Sequence, residues 1–325
     1  MAEKITFAIA GDPHSEIMHD GMKRMRKFLS AAREANADFI IHLGDLTYPN
    51  DCTDTHCPVE NMPENIYDAY VHSGEKDNES IIALFEGFEK PAYHVMGNHE
   101  FDFSSPEDVL RLYRVPGLYY SFHVKGWHFI VLDGNFMRNA AGELEHYDRG
   151  QYFYKRDLPY LPQEQLAWLE EELRANNEPV ILFSHQPLYN QSGGIKNHRE
   201  LAALIDSARA EGKDIRMCIN GHLHLDILDD IGGILYYNVN SMSNQWVGKA
   251  NSCPGRFSQE IERKNPSLQY VIPYEKAIYS IVTLDETGVS VKGVCSGYVQ
   301  PGPRKMGYKG RITSGAKSWE RAWKR

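Results

Sequence analysis

The chain has 325 residues, 42% of them hydrophobic and 24% charged, an ordinary globular composition long enough for one large domain or two small ones. Its formal net charge of −9 is uneven: residues 301–325 hold eight Lys or Arg against one Glu, while the remainder holds 27 against 43, a net of −16. An acidic body lacks the broad positive surface that nucleic-acid binding needs, and no apolar run approaches the ~18 residues of a membrane span. Five cysteines, an odd number without framework spacing, fit a reducing compartment. Met1–Lys4 leads straight into a strand, so a cytoplasmic location without a cleaved signal peptide is expected.

Taken in chain order, strand-like and helix-like patterns alternate. Strand Ile5–Ala10 ends at Gly11-Asp12-Pro13-His14 and is followed by a helix around Asp20–Asn36. Strand Phe39–Leu43 ends at Gly44-Asp45-Leu46-Thr47-Tyr48. Residues 49–78, rich in Asp, Glu and Asn, read as a surface insertion, and Cys52 and Cys57, flanking His56, read as free loop thiols within it. A helix near Ser80–Glu89 precedes strand Ala92–Met96, which ends at Gly97-Asn98-His99-Glu100. Ser105-Pro106-Glu107-Asp108 is a capping-box start with proline in the first helical position. Tyr119–Val124 and Trp127–Leu132 read as a hairpin, with His123 and His128 on a sheet face. Residues 134–161 form a second insertion, carrying Tyr147, Tyr152, Phe153, Tyr154 and Tyr160, read as a packed loop.

Helix Pro162–Arg174 places Leu166, Leu169 and Leu173 on one face. Strand Val180–Phe183 ends at Ser184-His185, helix Arg199–Ala210 follows, and strand Ile215–Ile219 ends at Gly221-His222-Leu223-His224, where a turn is expected. The remainder is hairpin-like, Asp226–Asn238 turning at Gly232-Gly233 and Ala277–Val294 turning at Glu286–Gly288. Parallel α/β patterns early and antiparallel patterns late predict an α/β (α+β) fold of two mixed sheets packed face to face with helices outside. One domain over 1–300, interrupted by insertions near 49–78 and 134–161, is followed by a basic, aromatic tail over 301–325. Its Tyr308, Trp319 and Trp323 favour docking on the body over free disorder.

Side chains leaving the carboxyl ends of neighbouring strands converge, where open α/β sheets place ligands. Asp12, His14, Asp45, Asn98, His185, His222 and His224 form an oxygen and nitrogen set suited to two divalent metals. Two metals about 3.5–4 Å apart suit phosphate hydrolysis.

In this order the five segments resemble the calcineurin-like metallophosphoesterase superfamily, whose pattern D-x-H, G-D-x-x-D, G-N-H-[DE], a lone His and G-H-x-H is matched from Asp12 to His224. The resemblance implies a four-layer αββα sandwich, two metal ions (Mn, Fe or Zn) and hydrolysis by a metal-bridging hydroxide. It implies Asp12, His14, Asp45 and His224 around one metal and Asp45, Asn98, His185 and His222 around the other, with Asp45 the bridge. His99 would donate to a phosphate oxygen or protonate the leaving alkoxide. The second motif departs from the pattern, with Tyr48 where the family has a supporting Asp. Purple acid phosphatases have a Tyr ligand there but lack the first-motif His; with His14 present, Tyr48 is expected to support the site or face substrate. Asp51 or Asp102 would replace the missing support for His99.

A finer resemblance, to the manganese-dependent ADP-ribose/CDP-alcohol diphosphatases, rests on Gly97–Phe101, the Tyr119–Asp133 hairpin, Gln163–Leu169 and Ser184–Tyr189. The expected activity is hydrolysis of a small-molecule phosphomonoester, phosphodiester or nucleotide-type diphosphate. The alternatives are a protein phosphatase, disfavoured by Tyr48-Pro49-Asn50 where Asp-Arg-Gly is usual, a nuclease, disfavoured by the acidic body, and a non-catalytic metal-bound scaffold using its basic tail. His198, Arg199, Lys249 and Arg256 are candidates for substrate phosphate, against the plainer reading as helix-start and loop residues. His42 and His94, inside strands, read as core or supporting groups.

Overall fold

The computed structural model describes residues 2–47, 78–154 and 157–324. Tyr48, Asp51, Cys52, His56 and Cys57 lie outside them, as does nearly all of the first insertion. Two six-stranded mixed sheets stack face to face. In the first, β1 (Ile5–Ala10), β2 (Phe39–His42) and β3 (Ala92–His94) are parallel, and β14 (Ser280–Leu284), β15 (Gly288–Gly293) and β16 (Trp319–Ala322) continue antiparallel from β1. In the second, β5 (Trp127–Leu132), β8 (Val180–Ser184), β9 (Ile215–Asn220) and β11 (Ile234–Asn238) are parallel, flanked antiparallel by β4 (Tyr120–Val124) and β10 (Ile227–Ile231). Two short pairs, β6 (Phe136–Arg138) with β7 (Leu144–His146) and β12 (Asn244–Trp246) with β13 (Val271–Pro273), stand apart. The helices are α1 (Gly21–Glu34), α2 (78–86), α3 (Pro106–Tyr113), α4 (Gln163–Ala175), α5 (His198–Ala210), α6 (Gln259–Lys264) and α7 (Pro303–Met306).

Period-two alternation produces the four layers. Ile5, Phe7 and Ile9 in β1 and Phe129 and Val131 in β5 meet between the sheets, while Ala8 and Ala10 face Met25, Phe28 and Leu29 of α1. On the other outer face, Ile130, Leu132 and Leu182 pack on Leu166, Leu169 and Leu173 of α4 and on Leu201 and Ile205 of α5. The expected αββα sandwich is therefore the observed one. The capping box is formed too: Ser105 Oγ accepts from the Asp108 amide at 3.2 Å while the Asp108 carboxylate accepts from the Ser105 amide at 3.3 Å.

The short pairs and β16 have no distinct sequence signature, being three or four residues long and partly polar. Strand β16 pairs antiparallel with β15, and Trp319 packs edge-on against Tyr237 with ring centroids 5.2 Å apart. No helix among the described residues is long and apolar enough to cross a membrane. His42 and His94 are buried, His42 Nε2 lying 2.8 Å from His94 Nδ1, and the Gly44 amide donates to His42 Nδ1 at 3.2 Å.

The β6–β7 hairpin is tied down over the carboxyl end of β5. Asp133 Oδ2 lies 2.8 Å from His146 Nε2, His146 Nδ1 reaches the Tyr147 carbonyl at 2.6 Å, and Asn135 Nδ2 donates to the Met96 carbonyl at 3.0 Å. Burial opposes charge on His146, but Asp133 and the Tyr147 carbonyl outweigh it and raise its pKa above the ordinary value. The stabilisation from that proton is complete below the unfolded-state pKa of about 6.5 and is lost as pH rises through the raised folded value. Urea midpoints of wild type and His146→Gln should accordingly differ most near or below pH ~6 and draw together at higher pH; a gap that widens with pH would mean that the pair is not charged.

Candidate metal centre

The turns leaving β1, β2, β3, β8 and β9 crowd together at the carboxyl edge of both sheets. Ligand-capable atoms of Asp12, His14 and His224 lie within 4.8 Å of one another, and those of Asp45, His185 and His222 do likewise. Asp45 touches both groups, with Oδ2 3.6 Å from His14 Nε2 and 3.2 Å from His185 Nε2. Asn98 Oδ1 joins the second group at 3.2 Å from His185 Nε2, and His222 Nδ1 lies 3.0 Å from that same atom. In the first group His14 Nε2 stands 3.2 Å from His224 Nε2 and Asp12 Oδ1 3.4 Å from His224 Nε2.

Local backbone conformation makes this convergence possible. Asp12, His14, Asp45, His222 and His224 all have φ between 39° and 70°, five of nine non-glycine residues with positive φ among those described. Each costs on the order of 1 kcal/mol or more, and such strain gathers at functional sites. The expected turn after Gly221 is therefore present as two left-handed residues. The strained loops are braced: Ser241 Oγ donates to the Asp12 carbonyl at 2.8 Å, Ser243 Oγ to the Pro13 carbonyl at 2.6 Å, and the His14 amide to the Asp45 carbonyl at 3.0 Å. A Cβ on Gly97 would collide with the Asp45 carboxylate, and one on Gly221 would come 2.5 Å from Asp12 Oδ2, so both positions need glycine for close approach.

The imidazole tautomers decide what the cluster can hold. His185 Nδ1 lies 2.7 Å from the Leu43 carbonyl, His224 Nδ1 2.8 Å from the Asn244 carbonyl, and His14 Nδ1 3.4 Å from the Thr47 carbonyl. A carbonyl only accepts, so each Nδ1 carries a hydrogen; at His185 burial opposes charge, but Asp45 outweighs it and raises the pKa to about 10, so that ring holds a proton on Nε2 as well. Burial, with His224 acting against the pull of Asp45, pushes His14 down to about 3, and burial with His185 does the same for His222. His14 and His224 Nε2 lie 3.2 Å apart, the Nδ1 of each ring being turned to a carbonyl. Such an arrangement suits a cation, and the donor set of imidazole nitrogens, carboxylates and one amide oxygen fits a divalent transition ion. Asp45 supplies negative charge at the centre: burial opposes its ionisation, but His185 and His99 hold its pKa well below the usual range.

His99 lies beside this cluster, its ring centroid 5.3 Å from that of His14. Its Nδ1 is 2.7 Å from Asp102 Oδ2, leaving Nε2 as the second titrating position. Burial resists the charge, but Asp102 and Asp45 overcome it and raise the pKa to about 9. Of the two acids considered as support for His99, Asp102 therefore stands at hydrogen-bond distance, and Asp51 lies outside the described residues.

Two further residues escaped the sequence reading. Glu100 is buried and accepts from the amides of Asp45 (2.8 Å), Leu46 (2.7 Å) and Gly97 (2.6 Å) and from Tyr113 Oη (3.2 Å), clamping the β2 and β3 turns together. The acidic position closing G-N-H-[DE] was its only signal. Tyr152, delivered by the second insertion, donates to Asp102 Oδ1 and accepts from Asn98 Nδ2 at 3.2 Å, which turns the Asn98 amide oxygen toward His185. Nothing local in the sequence marks that contact across 54 positions.

The remaining candidates are placed by their own elements. His198 and Arg199 open α5, Arg199 exposed and His198 Nδ1 buried without a hydrogen bond. Lys249 is exposed on a single helical turn, Lys249–Asn251. Arg256 is engaged with main chain, donating to the carbonyls of Val271 at 2.7 Å and Pro301 at 3.4 Å.

A two-sheet sandwich with a histidine- and aspartate-rich rim at its strand ends is the architecture of the metallophosphoesterases. The calcineurin-like phosphoesterase model matches residues 5–226, and the chain belongs to that family. A manganese-dependent ADP-ribose/CDP-alcohol diphosphatase from Arabidopsis thaliana is 23% identical over 230 residues, covering 59% of this chain and 66% of that protein. The serine/threonine-protein phosphatase CPPED1 from Bos taurus is 27% identical over 170 residues, covering 49% of this chain and 47% of that protein. The chain thus spans roughly half to two thirds of the length of these relatives. A dimetal phosphatase from Danio rerio superposes with a TM-score of 0.60 at 16% identity, covering 91% of this chain and 98% of that one. GAP50, described as the anchor in the inner membrane complex of Plasmodium, superposes with a TM-score of 0.53 at 14% identity, covering 99% and 90%. At these identities both establish the shared fold.

The Glu100 clamp can be tested alone. Glu100→Ala removes a buried acceptor serving four donors and should destabilise the chain by at least about 3 kcal/mol in urea unfolding. An unchanged midpoint would remove Glu100 from the frame of the site.

Proposed function

We propose that this protein is a dinuclear metal-dependent phosphoesterase acting on a small-molecule phosphomonoester, phosphodiester or nucleotide-type diphosphate. Asp12, His14, Asp45 and His224 would hold one ion and Asp45, Asn98, His185 and His222 the other, with Mn, Fe or Zn as the candidate metals. The observation that carries this reading is the convergence of two ligand groups, Asp12 with His14 and His224 and Asp45 with His185 and His222, each with its ligand atoms within 4.8 Å of one another. Ions bound there supply Lewis acidity toward a phosphoryl oxygen and lower the pKa of water.

The protein groups have separable tasks. Asp102 orients the His99 ring through Nδ1, so that the Nε2 proton can pass to the leaving oxygen or donate to a phosphoryl oxygen. Tyr152 holds Asp102 and the Asn98 amide in one arrangement, coupling the proton donor to one side of the metal cluster. The turn carrying Asp45 is fixed by Glu100 and therefore does not have to reorganise when substrate arrives.

The choice of a small molecule draws on the diphosphatase relative, whereas CPPED1 favours a phosphoprotein substrate. Purified protein with Mn²⁺ should hydrolyse para-nitrophenyl phosphate, its bis ester or ADP-ribose in preference to a phosphoserine peptide. Turnover of the peptide alone would support the protein phosphatase reading, and bound metal with no turnover of any of them would support a scaffold. His99→Ala should lower kcat by about 10²- to 10⁴-fold while metal content stays the same. Equal kcat in the variant would remove His99 from the chemistry.

A further inference from the structure

A second cluster of metal-ligating side chains lies at the other end of the second sheet. His123 and His128 are direct cross-strand partners in the β4–β5 hairpin, their rings stacked with centroids 4.4 Å apart. His128 pairs with Val180, the first residue of β8, whereas His185 follows the last. Alternation sends Trp127 and Phe129 to the inter-sheet core and turns His128 toward α4, where Glu172 meets it. Glu172 Oε1 lies 3.1 Å from His128 Nε2 but out of hydrogen-bond alignment.

His128 has no solvent exposure, yet its Nδ1 has no partner and its Nε2 meets only the Glu172 carboxylate, at 3.1 Å. Burying unmatched polar atoms costs about 1–3 kcal/mol each, so the position calls for a ligand. Candidate ligands surround it. One atom from each of His123, His128 and Glu172 lies within 4.8 Å of the others, and the Glu178 carboxylate contacts His123 Nδ1. Ser121 Oγ donates to Glu172 Oε1 at 2.7 Å, holding that carboxylate as outer groups hold metal ligands. Burial and the adjacent His123 ring outweigh the pull of Glu172 and lower the His128 pKa, favouring the neutral imidazole that can coordinate.

We propose that His123, His128, Glu172 and Glu178 form a binding site for a zinc-class transition ion, separate from the centre at the strand carboxyl ends. Two imidazole nitrogens and two carboxylates make a borderline donor set that zinc accepts in tetrahedral geometry, whereas magnesium and calcium favour all-oxygen sets. The ion would tie edge strand β4 to helix α4 and to the loop that leads into β8, closing the open side of the sheet.

The test uses the full-length protein stripped of metal and then titrated with Zn²⁺ alone. Wild type should bind one more zinc per chain than His123→Ala and Glu172→Gln, measured by calorimetry and by elemental analysis after desalting. Affinity at the additional site should fall at least about tenfold in both variants, since even an outer partner of a metal costs that much. His123 is 43% exposed, so its alanine variant leaves the core intact and carries the test if Glu172→Gln does not fold. Zinc should also raise the melting temperature of wild type more than that of His123→Ala. Equal zinc counts and equal affinities in wild type and His123→Ala would overturn the site, leaving His128 and Glu172 as an ion pair.

Discussion

Glu100 carries an unusual share of the structure for a residue that touches no substrate. Its two oxygens collect amides from the turns after β2 and β3, and a phenol from α3, all from buried residues. Without that acceptor the Asp45 turn, already strained at φ 51°, would have buried amides with nothing to receive them. Asp45 is also the group that reaches both histidine clusters, so a shift there would disturb both. One buried carboxylate thus fixes the position of another. The burial that pushes the Glu100 pKa up to about 7, aided by the Asp45 charge, is opposed by the amides of Leu46 and Asp45.

A second constraint follows from the first. The Asp45 turn brings His14 into register through a main-chain bond, and the carbonyls of Leu43, Thr47 and Asn244 then assign the hydrogen of three imidazoles. Those carbonyls belong to the same strained turns or to the segment after β11. Ring orientation and tautomer are therefore properties of the backbone, settled before any ion arrives, which is the sense in which the cluster is preorganised.

Much of this was legible in the sequence because two periodicities and a few turn residues encode it. Alternating β1 and β5, the leucine face of α4 and the Ser105 capping box were readable locally, and the layers follow from them. So were the glycine-preceded residues at the strand ends, because Gly97 and Gly221 are demanded by steric contact with the carboxylates of Asp45 and Asp12. What was not legible depends on distance. Tyr152 reaches Asp102 and Asn98 from another loop, and no local pattern announces that a tyrosine in an aromatic-rich insertion will meet a particular carboxylate. The hairpin Asp226–Asn238 was readable as a hairpin, but not that β11 would leave its partner β10 at the edge and pair in parallel with β9. Strand β16 is four residues and mostly exposed, so its place beside β15 is set by Trp319 against Tyr237 more than by strand propensity.

The same sandwich carries a dimetal phosphatase in one organism and an anchor protein in another, so fold alone leaves the activity open. The rim is a stronger argument because of what it costs. Five left-handed non-glycine residues and a buried carboxylate between imidazoles are each unfavourable in a chain that needs only to be a surface. A cation would offset the buried charge between the imidazoles and give the strained turns an energetic return. Placed beside the cluster, a histidine held by its own buried aspartate adds a positioned proton that binding a metal does not require. Metal ligation would account for the strain, while the His99–Asp102 pair, which ligation does not need, is what the proposed hydrolysis would use.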